Sequence, residues 1–474
     1  MYISFGLYLL IVLLVAIGSK KNKKESTSEF YTGSRSFGSL ITAISAGATD
    51  ISGWIFIGAV GTAYMVGTSM VWILVGSILG LFVNWFIVGP RLNKFAIETN
   101  SLSLVDVFEK RVNDKTKLIR LVSGVIIVIF FIPYMSSQMM SVGTVVESIF
   151  KFDYTYGMIL GSAFVLCYVL IGGYRSVMLT DFVQGLIMLS VLIFFPIYGI
   201  MNLGGFGVFF QTIMNIDPLL WSTANGAPLE AAFALIFGYI IFGMGIIGQP
   251  HITQRFISAR NPKTILEGTT IIITWQIITV IGATLIGLLA RVYLPTIENP
   301  EYSFPEMANT LLHPVIIGIV IAAIFSAIQS TLSSQLIVTT QSVVTDILGS
   351  LTKKVYSEKQ TLLISRVVMV LLLLVAFFIA TLNLESVFNL VLYAWGGIAA
   401  SFGPLVVLML YTNKVRKWGA FFGIITGTLA TIIWVNLGLS SVLYELIPAG
   451  GLAALVILIV SKFERTNELK KVTE

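Results

Sequence analysis

The chain of 474 residues has one cysteine, two histidines and only 11% charged residues. A single cysteine, Cys167, leaves no disulfide to form within the chain. His251 and His313 lie far apart in sequence, so a metal centre built on His and Cys has too few ligands. The scarcity of charge, set against 56% hydrophobic residues, excludes a soluble globular domain. Acids are also thin on the ground: neither clustered carboxylates nor a His with an acid partner marks a membrane-embedded enzyme, and the chain reads as a non-enzyme without a cofactor. The longest polar stretches are the 91–118 and 203–229 connections and a short charged tail, which leaves no room for a soluble sensor domain.

What is present is apolar runs of membrane length. Taking about 20 apolar residues per span, the sequence suggests thirteen: near 3–19, 38–64, 68–90, 119–148, 155–174, 178–202, 230–250, 264–291, 312–346, 361–381, 386–411, 418–436 and 440–461. The expected fold class is therefore an all-α polytopic membrane protein. The first run lacks a basic segment before it and is followed by Lys20, Lys21, Lys23 and Lys24, so it reads as an anchor with its N-terminus outside, not as a cleaved signal. With that orientation, all 29 Lys and Arg residues except Lys151 and Arg291 fall at or near cytoplasmic ends, in groups at 20–35, 91–120, 175, 255–263, 353–366, 414–417 and 462–471. The positive-inside rule thus supports a multi-pass plasma-membrane protein with its C-terminus in the cytoplasm. The net charge of +6 follows from that topology and does not point to nucleic acid.

The second span, SAGATDISGWIFIGAVG (Ser45 to Gly61), organises the rest. Asp50 stands in the middle of it, and a carboxylate near the bilayer centre costs roughly 2.5–3.5 kcal/mol on insertion scales, so it is expected to face a polar cavity, a partner or an ion. Gly47, Gly53, Gly58 and Gly61 weaken the helix around it. Broken backbone at membrane depth is tolerated where it lines a cavity, which predicts a midplane site here. Five spans later, FGYIIFGMGIIGQPH (Phe237 to His251) carries four glycines and Pro250, a second weakened span. Two interrupted spans in corresponding positions of two five-span units predict an inverted-repeat transporter. The expected organisation is a peripheral helix and cytoplasmic loop over 1–37, a first repeat over 38–202, a second over 203–411, and two peripheral helices with a tail over 412–474.

The ninth span supplies a hydroxyl face. Ala327, Ser330 and Thr331 stand at i, i+3 and i+4, with Ser333 and Ser334 following. Such residues can serve only close helix packing or bond back to the preceding turn. Two hydroxyls plus carbonyls freed by a broken helix can equally supply the several oxygens that sodium needs. In IGGYRSVMLTDFVQG, Arg175 reads as a topological charge, and Asp181 either as a helix-terminus charge or as part of an inner ion path.

Taken together and in order, YTGSRSFGS (Tyr31 to Ser39), SAGATDISGW, GGYRSVMLTD, GQPHITQRF (Gly248 to Phe256), AIQSTLSSQL, LYAWGGIAASFGP (Leu392 to Pro404) and LYELIP resemble the sodium/solute symporter family, most closely its sodium/proline symporters. The resemblance spans nearly the whole chain and implies a LeuT-type five-plus-five fold that couples sodium entry to solute uptake by alternating access. It implies a sodium ion between the carbonyls of Ala48, Ile51 and Ala327 and the hydroxyls of Ser330 and Thr331. It further implies that Asp50, Ser52 and Gly53 serve coupling, that Arg35 tunes sodium use from the cytoplasmic side, and that Asp181 assists inward sodium release. Trp54, Tyr134 and Pro250 match positions lining the proline pocket. At Phe242 and Ile246 the chain departs from the proline symporters, which carry a tryptophan and a tyrosine there, and the loss of the tyrosine leaves room for a larger solute.

The function expected is sodium-coupled import of a small zwitterionic or carboxylate solute, L-proline first. Pantothenate, another amino acid or a sugar acid remain as alternatives, and an uncoupled channel or transceptor is the alternative class. The expected partners are the solute, Na+ and membrane lipid, with no obligate protein partner.

Overall fold

The computed structural model describes residues 1–20, 26–352, 354, 356–383 and 385–473, with side chains up to 464. Lys21, Lys23, Lys24, Lys353 and the basic side chains beyond 464, used above as topological charges, lie outside the described residues. Among the described residues the fold is helical, with one isolated bridge between Phe37 and Ala259 and no strand.

Ten described helical runs are long and apolar enough to cross a membrane, where the sequence suggested thirteen spans. The difference has a physical source. Two of the ten are double runs, Ser39–Glu98 and Tyr154–Asn202, and the glycine-weakened span is short, Leu229–Met244. We label the main helices α1 (Tyr2–Ser19), α2 (Ser39–Trp54), α3 (Val60–Val66), α4 (Val71–Phe82), α5 (Leu118–Val145), α6 (Tyr154–Asn202) and α7 (Leu229–Met244). They continue with α8 (Pro250–Ser258), α9 (Pro262–Tyr293), α10 (Pro314–Gln341), α11 (Glu358–Leu382), α12 (Val387–Tyr411), α13 (Lys417–Asn436) and α14 (Leu446–Thr473).

Both double runs turn at a glycine with positive φ. Gly67 has φ +58, and a Cβ there would sit 2.0 Å from the Leu220 carbonyl oxygen, so backbone and space both demand glycine. Beyond it the chain runs back down α9: Ala63 lies against Gly287, whereas Trp85 lies against Gly268 and Gly89 against Ile265. Gly173, at φ +55, turns α6 against Phe30. Its first limb pairs Gly161 with Val142 of α5, and its second pairs Gly185 with Trp275 and Gly199 with Leu289 of α9.

Burial separates core from periphery. The apolar window of α10 is 83% buried, against 22% for α1 and 22% for α14. Helix α10 packs on α2, α5 and α6, and α9 packs on α2, α3 and the second limb of α6. That arrangement leaves α2 between two buried helices. Its own sequence, rich in Gly, Ala, Ser and Thr, permits this: Gly47 touches the Trp275 ring, and Gly53 touches Ile328.

Candidate functional site

Both weakened spans are broken. In α2 the break falls at Ser52, with φ 53 and ψ 178. That region of backbone space is essentially reserved for glycine and costs about 1–3 kcal/mol for another residue, so the surrounding structure must hold it. It does so through three contacts. The Ser52 hydroxyl accepts from the Trp54 N–H at 3.1 Å, and the Gln138 amide oxygen of α5 accepts from the Gly53 N–H at 2.9 Å. A Cβ on Gly53 would meet Ile328 at 2.7 Å and Ser141 at 3.0 Å, so α10 and α5 clasp the break from both sides. The second break separates α7 from α8. Here Gln249 spans the gap, donating to the carbonyls of Gly245 and Trp395, each at 3.0 Å. Neither glutamine carries a signal in the sequence beyond its position in a span.

The hydroxyl face of α10 meets the first break. Ser330 Oγ donates to the Ala48 carbonyl at 2.8 Å and to Ala327 at 3.1 Å, while Thr331 Oγ1 donates to the Thr49 carbonyl at 2.7 Å. Ala48, Thr49, Ala327, Ser330 and Thr331 are all fully buried. Five oxygens therefore converge with no formal charge, a donor set suited to a hard monovalent cation. Ile51 stands apart: among the described residues no side chain bonds its carbonyl, and it lines the neighbouring cavity instead. The Thr49 carbonyl, one turn before the break, joins the contact with α10 expected for Ala48 and Ile51.

On the other side of α2 lies a cavity of about 30 Å³, lined by Asp50, Ile51, Ser52, Trp54, Tyr134, Phe242, Ile246, Gln276 and Trp395 among others. The sequence-predicted Trp54, Tyr134, Phe242 and Ile246 are thus brought together. Pro250 is not: it begins α8, fully enclosed, and lies outside the lining of this cavity. About 30 Å³ accommodates a water or two, well short of the roughly 300 Å³ of a small ligand pocket. The room expected from the loss of an aromatic ring at Ile246 is likewise closed up, with Ile246 2% exposed and packed against Gly80. Beside the cavity, Trp54 stacks on Phe388 at 6.2 Å and meets Phe242 at a tilt, 5.4 Å between ring centres. Phe388 also lines a second cavity of about 570 Å³. The N–H of Phe388 donates to Glu301 at 3.2 Å, and burial pushes the Glu301 carboxyl above its ordinary value.

The other end of the site is closed by a charge that the sequence suggested served topology. Arg255 is fully buried, not interfacial, and its guanidinium reaches Asp181 at 2.7 Å, Thr49 Oγ1 at 2.6 Å and Ser334 Oγ at 2.5 Å. Asp181 also accepts from Ser45 at 2.8 Å and from Thr49 at 3.2 Å. It is therefore a mid-span ion-pair partner directly below the oxygen cluster, not a helix-terminus charge. Arg255 follows the second break by one and a half helical turns, which draws it inward; a basic residue near a span end gives no sign of that by itself. Further out, Gln254 donates to the carbonyls of Tyr31 and Leu102, both at 2.9 Å, and Gln341 donates to Leu102 at 3.2 Å. Arg35 donates to the carbonyls of Ala96 and Ser101 at 3.1 and 2.6 Å, tying the segment before α2 to the end of the helix Gly89–Glu98 and the loop after it.

Comparison with known proteins finds relatives over nearly the whole chain. The model of the Sodium:solute symporter family matches residues 30–427. The chain is similar to the high-affinity proline transporter PutP of Bacillus subtilis (strain 168), 38% identical over 454 residues, covering 94% of this chain and 95% of that one. It is similar to the sodium/proline symporter of Staphylococcus aureus (strain JH9), 36% identical over 480 residues, covering 98% and 93%. Among solved structures, a sodium-coupled sialic acid symporter in a substrate-bound outward-open state matches with a TM-score of 0.81 at 21% identity, covering 98% of this chain and 97% of that chain. A closed nucleobase-cation-symport-1 family transporter matches at 0.57 and 13% identity, covering 93% and 96%. At those identities the two structures speak to the fold, which is that of the LeuT-like sodium symporters.

Proposed function

The chain belongs to the sodium:solute symporter family, and from that premise we propose that it imports L-proline together with sodium by alternating access. Sodium-coupled solute symport follows from the family; the proline assignment is supported by the two relatives named for proline, each more than a third identical over nearly the whole chain. The observation that carries the mechanism is the meeting of the α2 break with α10. The carbonyls of Ala48, Thr49 and Ala327 and the hydroxyls of Ser330 and Thr331 form the sodium site, and the same break sets Asp50 in the solute cavity. One strained turn at Ser52 serves both ligands, which gives coupling a physical basis: sodium that fixes the turn also fixes the cavity wall.

In this reading residues 38–202 and 203–411 are the two inverted repeats, each opening on a broken span, and the N-terminus lies outside. The aromatic lid of Trp54, Phe242 and Phe388 closes the outer route, while the Arg255–Asp181 pair closes the inner one. Sodium arriving near Asp181 competes with Arg255 for its carboxylate and so weakens the inner seal, the part Asp181 and Arg255 play in release. Arg35 acts at a distance by fixing the end of the helix Gly89–Glu98 and the loop after it. Ile246 favours one variation, a zwitterion of somewhat different shape from proline. A competition series tests the solute: purified protein in sodium buffer, titrated with amino acids, pantothenate and sugar acids, is expected to be stabilised most by proline, and stabilisation by a sugar acid alone overturns the proline assignment.

A further inference from the structure

We propose that Asp50 and Gln276 together receive the cationic end of the solute, so that the cavity selects zwitterions over simple carboxylates. The inference rests on the reading above that the solute is a small zwitterion, and it names the residues that enforce that choice. Asp50 lines the cavity from α2 and makes no hydrogen bond or ion pair among the described residues. Gln276 lines the same cavity from α9, is 5% exposed, and has a buried amide oxygen with no hydrogen-bond partner. Both follow closely on a contact of the two helices, Gly47 against Trp275, which lies three residues before Asp50 and one before Gln276. A carboxylate at membrane depth without a partner calls for a positive charge, and an orphaned buried carbonyl oxygen calls for a donor.

Sodium could supply the charge, but the rest of the cavity argues for an ammonium. Beyond Asp50 and Gln276, and apart from the hydroxyls of Ser52, Ser77 and Tyr134, the lining offers no side-chain oxygen, and Ile73, Leu81, Phe242, Ile246 and Val391 make up much of it. A sodium ion needs oxygens on most sides. An ammonium on an aliphatic body needs acceptors only on its polar side and apolar walls elsewhere. The oxygens suited to sodium lie on the other face of α2, toward α10, and Asp50 is not among them. A secondary ammonium carries two N–H groups, one for the Asp50 carboxylate and one for the Gln276 amide oxygen. The cavity of about 30 Å³ that both line matches the scale of that group and not the whole solute. The aliphatic body then displaces the aromatic lid, as expected when the outer route opens.

The test compares L-proline with tetrahydrofuran-2-carboxylate, which keeps the ring and the carboxylate and replaces the ammonium by an ether oxygen. Both compete for labelled proline uptake into proteoliposomes carrying wild-type, Gln276→Met or Gln276→Glu protein, normalised to the amount reconstituted. Wild-type protein is expected to prefer proline over the analogue by at least 100-fold. Gln276→Met should lower that preference at least tenfold, with the half-saturating sodium concentration within twofold of wild type, and Gln276→Glu, which keeps an acceptor, should retain most of it. An unchanged preference in Gln276→Met overturns the proposal, and so does a variant that shifts sodium dependence while keeping the preference, because the pair would then hold sodium. If wild-type protein takes up a different zwitterion and no proline, the proline reading fails, and the same comparison is made with that solute and its amine-free analogue. Transport of only carboxylates that lack a cationic group overturns both.

Discussion

Ser330 and Thr331 each donate to a carbonyl of α2 across a helix contact with no solvent near them. A hydroxyl that donates to a carbonyl still presents lone pairs, so an ion can sit among these oxygens without breaking the bonds that position them. Replacing both with Ala is expected to raise the sodium concentration for half-maximal uptake at least tenfold, about 1.4 kcal/mol; unchanged sodium dependence would leave them only a packing role. Asp50→Asn keeps the shape and removes the charge, so the protein should insert and purify normally yet lose sodium-driven uptake, measured in the same vesicles. Wild-type uptake by that variant contradicts the assignment. The residues of the hydroxyl face were legible because i, i+3, i+4 spacing is a local property of the chain. Arg255 was not, because its meaning depends on the break just before α8 that turns that helix into the core. Ile51 and Pro250, expected from the resemblance, stand beside the first cavity and at the start of α8, positions that no spacing rule specifies.

At the scale of elements, the two broken spans are the features the sequence announced most clearly, through glycine density and Pro250. The exact turn did not follow from glycine content: the α2 break falls on Ser52, a residue that pays for its backbone conformation, while Gly53 beside it is required for space. Gly53→Ala should therefore be an overpacking change, with its Cβ 2.7 Å from Ile328, and cost about 1–3 kcal/mol. Sodium-coupled uptake should fall at normal protein levels, and Ile328→Ala in the same chain should restore part of it. Failure of any Ile328 truncation to rescue would mean that the Gly53 contact does not clasp the break. At the second break, Ile246→Tyr restores the ring that the proline symporters carry. If proline is the native solute, its half-saturating concentration should stay or fall, whereas a bulkier native solute should be excluded by a similar overpacking cost. Direct uptake of each solute by the variant separates the two outcomes.

For the whole molecule, helix count was legible to the extent that hydropathy reports length. Thirteen apolar runs become ten by length because Gly67 and Gly173 turn the chain without a polar loop, and because α7 stops short at its break. Side-chain placement across the bundle was beyond hydropathy, since every helix is apolar and the identity of neighbours is set by close contacts such as Gly47 on Trp275 and Gly185 on Trp275. The site is closed at one end by the aromatic lid and at the other by Arg255, Gln254 and Gln341. That is the arrangement alternating access requires, in which solute and sodium are never open to both faces together. The most direct test is accumulation of labelled L-proline in proteoliposomes under an imposed inward sodium gradient, with equal proline on both sides at the start. The account predicts that internal proline rises above the external concentration and returns to it when the gradient is dissipated. Proline that only equilibrates, at the same rate with sodium or potassium outside, would contradict coupled transport and leave a channel in its place.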